Sequence, residues 1–219
     1  MHDSTHPQRP VADDYGAQYF ETLYGALPAQ TVVDRLRDRM LRDTIRRYVQ
    51  SGRLLEIGCG FGYFLRGLDQ GFQRFGTDIS AHAVAAAQRA LPDVRLAVAD
   101  IQDGIPFRGP FDVIVAVNVM EHLAEPKTAI RAIADFMRPG GLFVAHLPTI
   151  SSPLADWIYA RTYASDVTHV FRPSGAEFNR VVEAAGFTTL QDRYFPFWPV
   201  ALWRRLRPHP AYLGVFRRR

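Results

Sequence analysis

Apolar and polar positions follow two rhythms along the chain. From Thr31 to Gln50 the apolar residues Val33, Leu36, Met40, Leu41, Ile45 and Tyr48 fall at spacings of three, four and one, which predicts an amphipathic helix with arginine and aspartate on its other face. Arg53 to Ile57 is a short apolar run, a buried strand, and the glycine-spaced stretch after it hands over to a helix over Phe61 to Gln70. The order then repeats: a strand over Phe72 to Thr77, a helix N-capped by Ser80 with Val84, Ala87 and Leu91 on one face, and a strand over Val94 to Val98. Phe111 to Val117 is unbroken and rich in β-branched residues, the pattern of a strand buried on both faces. Pro126 suits the first turn of a helix that continues through Ile130, Ile133 and Met137 and is stopped by Pro139, Gly140 and Gly141. Leu142 to Leu147 is the next strand. Ser174 and Glu177 have capping-box spacing, and Phe178, Val181, Val182 and Ala185 carry that helix to a Gly186 cap. Phe187 to Phe195 reads as a sixth strand and Ala211 to Phe216 as a seventh.

Strand and helix thus alternate five times, which implies βαβ units and an α/β fold: a doubly wound, mostly parallel sheet with helices on both faces. Residues 148–172 break the alternation and hold Trp157, Tyr159, Tyr163 and Phe171 without clean periodicity, as an inserted lid or a short helix would. With 219 residues, 47% of them hydrophobic, one domain over 31–219 behind an N-terminal extension over 1–30 is the simplest division. The start MHDSTHPQRP has no signal-type apolar stretch, and no run reaches the roughly 18 apolar residues that span a bilayer, so a cytoplasmic location is expected. A single cysteine, Cys59, excludes an intramolecular disulfide and a multi-cysteine zinc cage.

Charge changes the picture only at the end of the chain. The formal total is +4, yet the stretch after Asp192 alone carries seven arginines and no acid. Segment 193–219 is therefore either a solvated and packed terminus, with Trp198 and Trp203 in the core, or a surface for a membrane or an acidic carrier protein. No nucleic-acid-binding signature is present.

The candidate chemistry lies at strand ends. Glu56, Asp78, Asp100 and Asn118 each sit at or just past the C-terminal end of one of the first four strands, the edge at which doubly wound sheets bind ligands. Gly58, Gly60 and Gly62 let the backbone turn and approach a ligand closely. Asp78 is placed to accept hydrogen bonds from ribose hydroxyls, and Asp100 from an adenine amino group, with Ile79 and Ile101 as apolar surfaces for the ring.

LLEIGCGFG at 54–62, GTDIS at 76–80, AD at 99–100, FDVIVAVNVMEHL at 111–123 and MRPGG at 137–141 together resemble the class I S-adenosylmethionine-dependent methyltransferases. DVTHVF at 166–171, followed by a helix ending in AAGF, resembles a subgroup containing ubiquinone-pathway O-methyltransferases and methyltransferases of sugars and natural products. The resemblance implies a seven-stranded Rossmann-like sheet with its last strand antiparallel, S-adenosylmethionine as cofactor and S-adenosylhomocysteine as product. It places Glu56 and the glycine loop, with Cys59 as small filler, near the methionine moiety. Methyl transfer to an oxygen of a sugar, phenol or lipid-linked metabolite is the expected reaction, with Glu121, His122 and His169 as catalytic candidates; the histidines titrate near neutrality and could take an acceptor proton. Tyr15 and Tyr19 lie where related enzymes place an N-terminal lid, and Trp157 and Tyr163 are candidate substrate covers. In the ubiquinone-pathway relatives an acid three residues before the glutamate joins it and the histidine in binding a divalent metal. Asn118 stands at that position here, so no metal is expected. Two alternatives remain: a non-catalytic S-adenosylmethionine-binding or scaffold protein, and a nicotinamide oxidoreductase, whose GxGxxG pattern would need glycine where Tyr63 stands.

Overall fold

The computed structural model describes residues 10–11, 15–16, 30–150, 152–162, 166, 168–194 and 211–219. Its elements are α1 (Val32–Arg46), β1 (Gly52–Ile57), α2 (Tyr63–Arg66), β2 (Phe72–Asp78), α3 (Ala81–Ala90), β3 (Arg95–Val98), β4 (Phe111–Val117), a 3-10 turn (Met120–His122), α4 (Pro126–Asp135), β5 (Met137–Pro148), α5 (Pro153–Thr162), α6 (Gly175–Ala184), β6 (Phe187–Tyr194) and β7 (Ala211–Arg218).

Seven strands form one sheet in the order β3-β2-β1-β4-β5-β7-β6. The first five are parallel, and β7 runs antiparallel between β5 and β6. The chain moves outward from β1 to β3 and then returns to place β4 on the other side of β1, so the switch point lies between β1 and β4. Pairing of Ile57 with Thr77 and with Ala116 brings the C-terminal ends of β1, β2 and β4 to one edge.

Alternation along the strands builds two cores. Leu55, Ile57, Ile114, Ala116, Phe143 and Phe216 point to one face and pack under α4 and α6. Leu54, Val113, Val115, Val144 and Val215 point to the other, under α1 and α2. Neighbouring residues of one strand thus serve opposite faces, which explains why the central strands read as unbroken apolar runs.

The expected capping box on α6 is present: the Ser174 hydroxyl accepts from the Glu177 amide at 3.2 Å, and Glu177 Oε2 accepts from the Ser174 amide at 2.7 Å. Ser174→Ala should lower stability by about 1 kcal/mol, read as a urea midpoint shift at unchanged slope. An unchanged midpoint would mean that packing of Phe178 alone holds the helix start.

Four elements differ from their sequence expectation. The helix after the glycine loop is one turn, Tyr63–Arg66, instead of Phe61 to Gln70, since Gly67 sits inside the expected span and caps the helix there. α4 stops at Asp135, and β5 begins at Met137, paired with Phe111, well before Leu142. In α1, Val33 and Leu36 are exposed, and the buried stripe is Asp38, Leu41, Thr44 and Ile45. The first turns of α1 overhang a cavity, so polar residues face inward there. Trp198, Trp203 and the rest of 195–210 lie outside the described residues.

The final arginines join the helix ends: Arg218 donates to the carbonyls of Ala134 and Gly186, and Arg219 to that of Glu183. Cations at helix C-termini complement unsatisfied carbonyls and the helix dipole, which accounts for part of the basic terminus as packing. Among the described residues no helix is long and apolar enough to cross a membrane.

Candidate functional site

A cavity of about 410 Å³ opens at the C-terminal edge of β1, β2 and β4, the size expected of a ligand site. The glycine loop forms one wall. Gly58, Gly60 and Gly62 all adopt positive φ, at 69°, 48° and 74°, and Gly58 has no room for a side chain because an added Cβ would run into Val119. Asp78, at the end of β2, fastens that loop: its Oδ2 accepts from the Gly60 amide at 2.7 Å and its Oδ1 from the Ser80 amide at 2.9 Å. Burial raises the Asp78 carboxyl above its ordinary value, against the pull of the Ser80, Gly60 and Ile79 amides. Asp100 accepts from the Gln102 amide at 2.8 Å and lines the cavity with Ile79 and Ile101. Asn118 has a left-handed φ of 54° and its Oδ1 accepts from His146 Nδ1 at 2.8 Å, holding the end of β4 against β5.

The opposite wall comes from α1. Asp34, Arg37 and Asp38 face the cavity together with Gln30. Arg37 donates to Asp34 at 2.9 Å and to Asp38 at 3.0 Å, and Gln30 donates to Asp38 at 2.5 Å. Glu56 lies buried below, and burial, then the negative charge of Asp38, push its carboxyl well above the ordinary range. Burial also raises the Cys59 thiol, which leaves it a neutral lining group. Sequence reasoning missed these α1 residues. The signal was an acid, Asp38, three positions before Leu41 on the apolar stripe.

At the mouth, the 3-10 turn meets segment 166–171. The Glu121 carbonyl accepts from the amides of Val170 and Phe171, both at 2.9 Å, while its carboxyl is buried and carries one oxygen with no hydrogen-bond partner among the described residues. Burial first, and then the charge of Asp166, push that carboxyl up to about 8. His122 Nδ1 lies 2.8 Å from the Thr168 hydroxyl, and His169 Nδ1 lies 2.7 Å from the hydroxyl of Tyr159 on α5. The two imidazoles meet edge to face at 4.7 Å. Burial lowers His122, and it lowers His169 to about 4, helped there by His122 and opposed by Asp166. Ligand-type atoms of Glu121, His122 and His169 lie within 4.8 Å of one another. Each histidine meets a protein hydroxyl through Nδ1, Thr168 for His122 and Tyr159 for His169, which fixes the orientation of both rings at the cavity mouth.

The fold therefore gathers Glu56, Gly58, Cys59, Gly60, Asp78, Ile79, Asp100, Ile101, Asn118, Glu121, His122, His169 and Tyr15 around one cavity. Tyr15 stands edge-on to His122 at 5.8 Å. Gly62 is not part of the lining; it serves packing, since an added Cβ would meet Leu91 at 2.5 Å. Trp157 is 54% exposed on α5 and also lies outside the lining. Tyr19 and Tyr163 fall outside the described residues.

A family model described as a methyltransferase domain matches residues 30–192. The ubiquinone biosynthesis O-methyltransferase of Burkholderia cenocepacia is 29% identical over 155 residues, 66% of this chain and 66% of that protein. Its namesake from Nitrobacter winogradskyi is 34% identical over 98 residues, 42% of this chain and 37% of that protein. The chain thus spans less than two thirds of the length of either relative. Among solved structures, the magnesium protoporphyrin IX methyltransferase of Synechocystis PCC 6803 with bound SAH superposes with a TM-score of 0.70 at 15% identity, over 95% of this chain and 98% of that one, which shows a shared fold.

Proposed function

Since this chain belongs to the class I S-adenosylmethionine-dependent methyltransferases, we propose that it transfers a methyl group from S-adenosylmethionine to an oxygen of a small molecule such as a phenol, a sugar or a lipid-linked metabolite. One observation carries the reading: among the described residues the cavity is lined by seven acids, of which burial holds Glu56 and Glu121 toward the neutral form, and by one arginine already paired with Asp34 and Asp38. A cationic sulfonium nucleoside suits such a lining. A nicotinamide dinucleotide does not, since its pyrophosphate would meet carboxylates with no uncommitted cation.

The residues fit the cofactor as follows. Asp78 would hold the ribose hydroxyls, Asp100 the adenine amino group with Ile79 and Ile101 against the ring, and Glu56 and the loop from Gly58 to Gly60 the methionine end. When bound, S-adenosylmethionine supplies the electrophilic methyl group. The chain supplies alignment of the acceptor, exclusion of water and a base for the acceptor proton. His122 is that base, since burial keeps it neutral near pH 7 and Tyr15 covers its ring.

Calorimetric titration with S-adenosylmethionine, S-adenosylhomocysteine and NADH, with and without a chelator, tests the cofactor. Binding of the sulfur nucleosides alone, indifferent to chelator, is expected; binding of NADH instead would overturn the reading. Asp78→Ala should weaken S-adenosylmethionine at least about tenfold, the loss of a charge-assisted hydrogen bond of roughly 1.5–3 kcal/mol. Unchanged affinity in a folded variant would remove Asp78 from the ribose site. Methyl transfer is then sought with radiolabelled cofactor against panels of catechols, hydroxylated quinols and sugars.

A further inference from the structure

Two histidines border the cavity, and hydrogen-bond bookkeeping separates them. Asp166 is the starting point. Burial opposes its ionisation, but the hydroxyl and amide of Thr168 and the two histidines outweigh that and hold it below the ordinary carboxylate value. An ionised carboxylate only accepts, so the Thr168 hydroxyl must donate to Asp166 Oδ1, at 2.5 Å, alongside the Thr168 amide at 3.0 Å. The single hydroxyl proton is then spent, and the Thr168 oxygen can only accept from His122 Nδ1 at 2.8 Å. The carbonyl of Thr168, also an obligate acceptor, lies 3.3 Å from the same nitrogen. Two acceptors on one ring nitrogen require that it carry the proton.

The other oxygen of Asp166 faces His169 Nε2 at 3.6 Å, which favours a proton there and leaves His169 Nδ1 to accept from the Tyr159 hydroxyl at 2.7 Å. One carboxylate therefore biases the two rings toward opposite tautomers. The lone pair of His169 is consumed by Tyr159. That of His122 is on Nε2, across the ring from Thr168, and among the described residues it accepts no protein hydrogen bond.

We propose that Asp166 and Thr168 are positioning residues that hold His122 as its Nδ1-protonated tautomer, with the Nε2 lone pair presented to the acceptor hydroxyl, while His169 is a tether for α5. This rests on the methyl-transfer reading for its purpose and not for its geometry. In the transfer, the acceptor O–H bond breaks as the O–CH3 bond forms, the proton goes to His122 Nε2, and the electron pair of the broken C–S bond leaves with the sulfur of S-adenosylhomocysteine.

Ring-nitrogen NMR of the full chain labelled with 15N-histidine tests the assignment without any acceptor, the His122 signals being identified by their loss in His122→Gln. The expected wild-type spectrum has a protonated Nδ1 and an unprotonated Nε2 for His122, the reverse of the tautomer that predominates for free histidine in water. Thr168→Val, whose folding is checked by binding of S-adenosylhomocysteine, should shift the signature toward the free-histidine tautomer, since only the more distant backbone carbonyl of residue 168 then remains as acceptor. Thr168→Ser, which keeps the hydroxyl, should restore it. A protonated Nε2 in the wild type would overturn the proposal even if His122 proves essential for turnover. An unaltered signature in Thr168→Val would remove the Thr168 hydroxyl from the role and overturn the positioning claim for it. If the signature is as assigned and His122→Ala nonetheless turns over at the native rate, the base reading fails and the hydrogen-bond assignment stands.

Discussion

Glu121→Gln should flatten a fall in stability that the native chain undergoes between about pH 4.5 and 8. The unfolded chain ionises this carboxyl near the ordinary 4.5, whereas the folded chain holds it protonated up to about 8 because it is buried beside Asp166. Between those values the folded state binds one more proton than the unfolded state, so stability declines as pH rises. The contribution is whole below about 4.5, shrinks across the window and is gone above about 8. A shift of this size corresponds to something on the order of 4 kcal/mol across the window. Glutamine keeps the volume and the donor and acceptor of a protonated carboxyl and cannot ionise. Urea midpoints of both proteins at acidic, neutral and alkaline pH give the difference directly. Glu56, raised in the same direction, is common to both and cancels. Parallel curves would show that Glu121 is ionised in the native state, and the network around it would have to be redrawn with a cation or a bound ligand as its partner.

How far the site could be read from the chain depends on which physical signal each residue carried. Gly58, Gly60 and Asp78 stood out because a parallel sheet exposes its strand ends at one edge, and position along a strand is visible in the apolar pattern. The sheet itself followed from the same pattern, down to an antiparallel seventh strand, although the antiparallel direction came from family resemblance and not from periodicity. Gly62 carried the same glycine signal for a different reason, close packing on Leu91, which no spacing reveals. The α1 residues were hidden by a rule that usually holds. Apolar residues mark the inward face of a helix, but where a helix overhangs a polar cavity the inward face is Asp34, Arg37 and Asp38, and the valines turn outward. DVTHVF at 166–171 and Tyr159 stood out in the sequence, but the roles of Asp166, Thr168 and Tyr159 did not, for a further reason. They act on His122 and His169 through contacts between α5, segment 166–169 and the 3-10 turn, a juxtaposition set by tertiary packing and not by local sequence.

Replacing His122 by alanine should lower kcat by about 10²- to 10⁴-fold, the range contributed by a positioned general base, with S-adenosylmethionine affinity changed by no more than a few-fold. The separation follows from where the ring sits. Its Nδ1 is tied to Thr168 and its ring meets those of Tyr15 and His169, whereas Asp78 and Asp100 are held by the amides of Gly60, Ser80 and Gln102, so removing the ring takes away none of the bonds that hold the cofactor-side acids. A group that acts only while the acceptor proton moves is felt in turnover and not in cofactor binding. His169→Ala should behave differently. It removes a buried hydrogen bond to the Tyr159 hydroxyl, so its first effect is loss of stability. Equal losses of kcat in the two variants, with stability unchanged in both, would mean that the imidazole pair works as one unit and that neither histidine alone is the base. An unaffected rate in His122→Ala would leave alignment of the acceptor as the whole of the chain's contribution, which is sufficient chemistry for an acceptor that reaches the site already deprotonated.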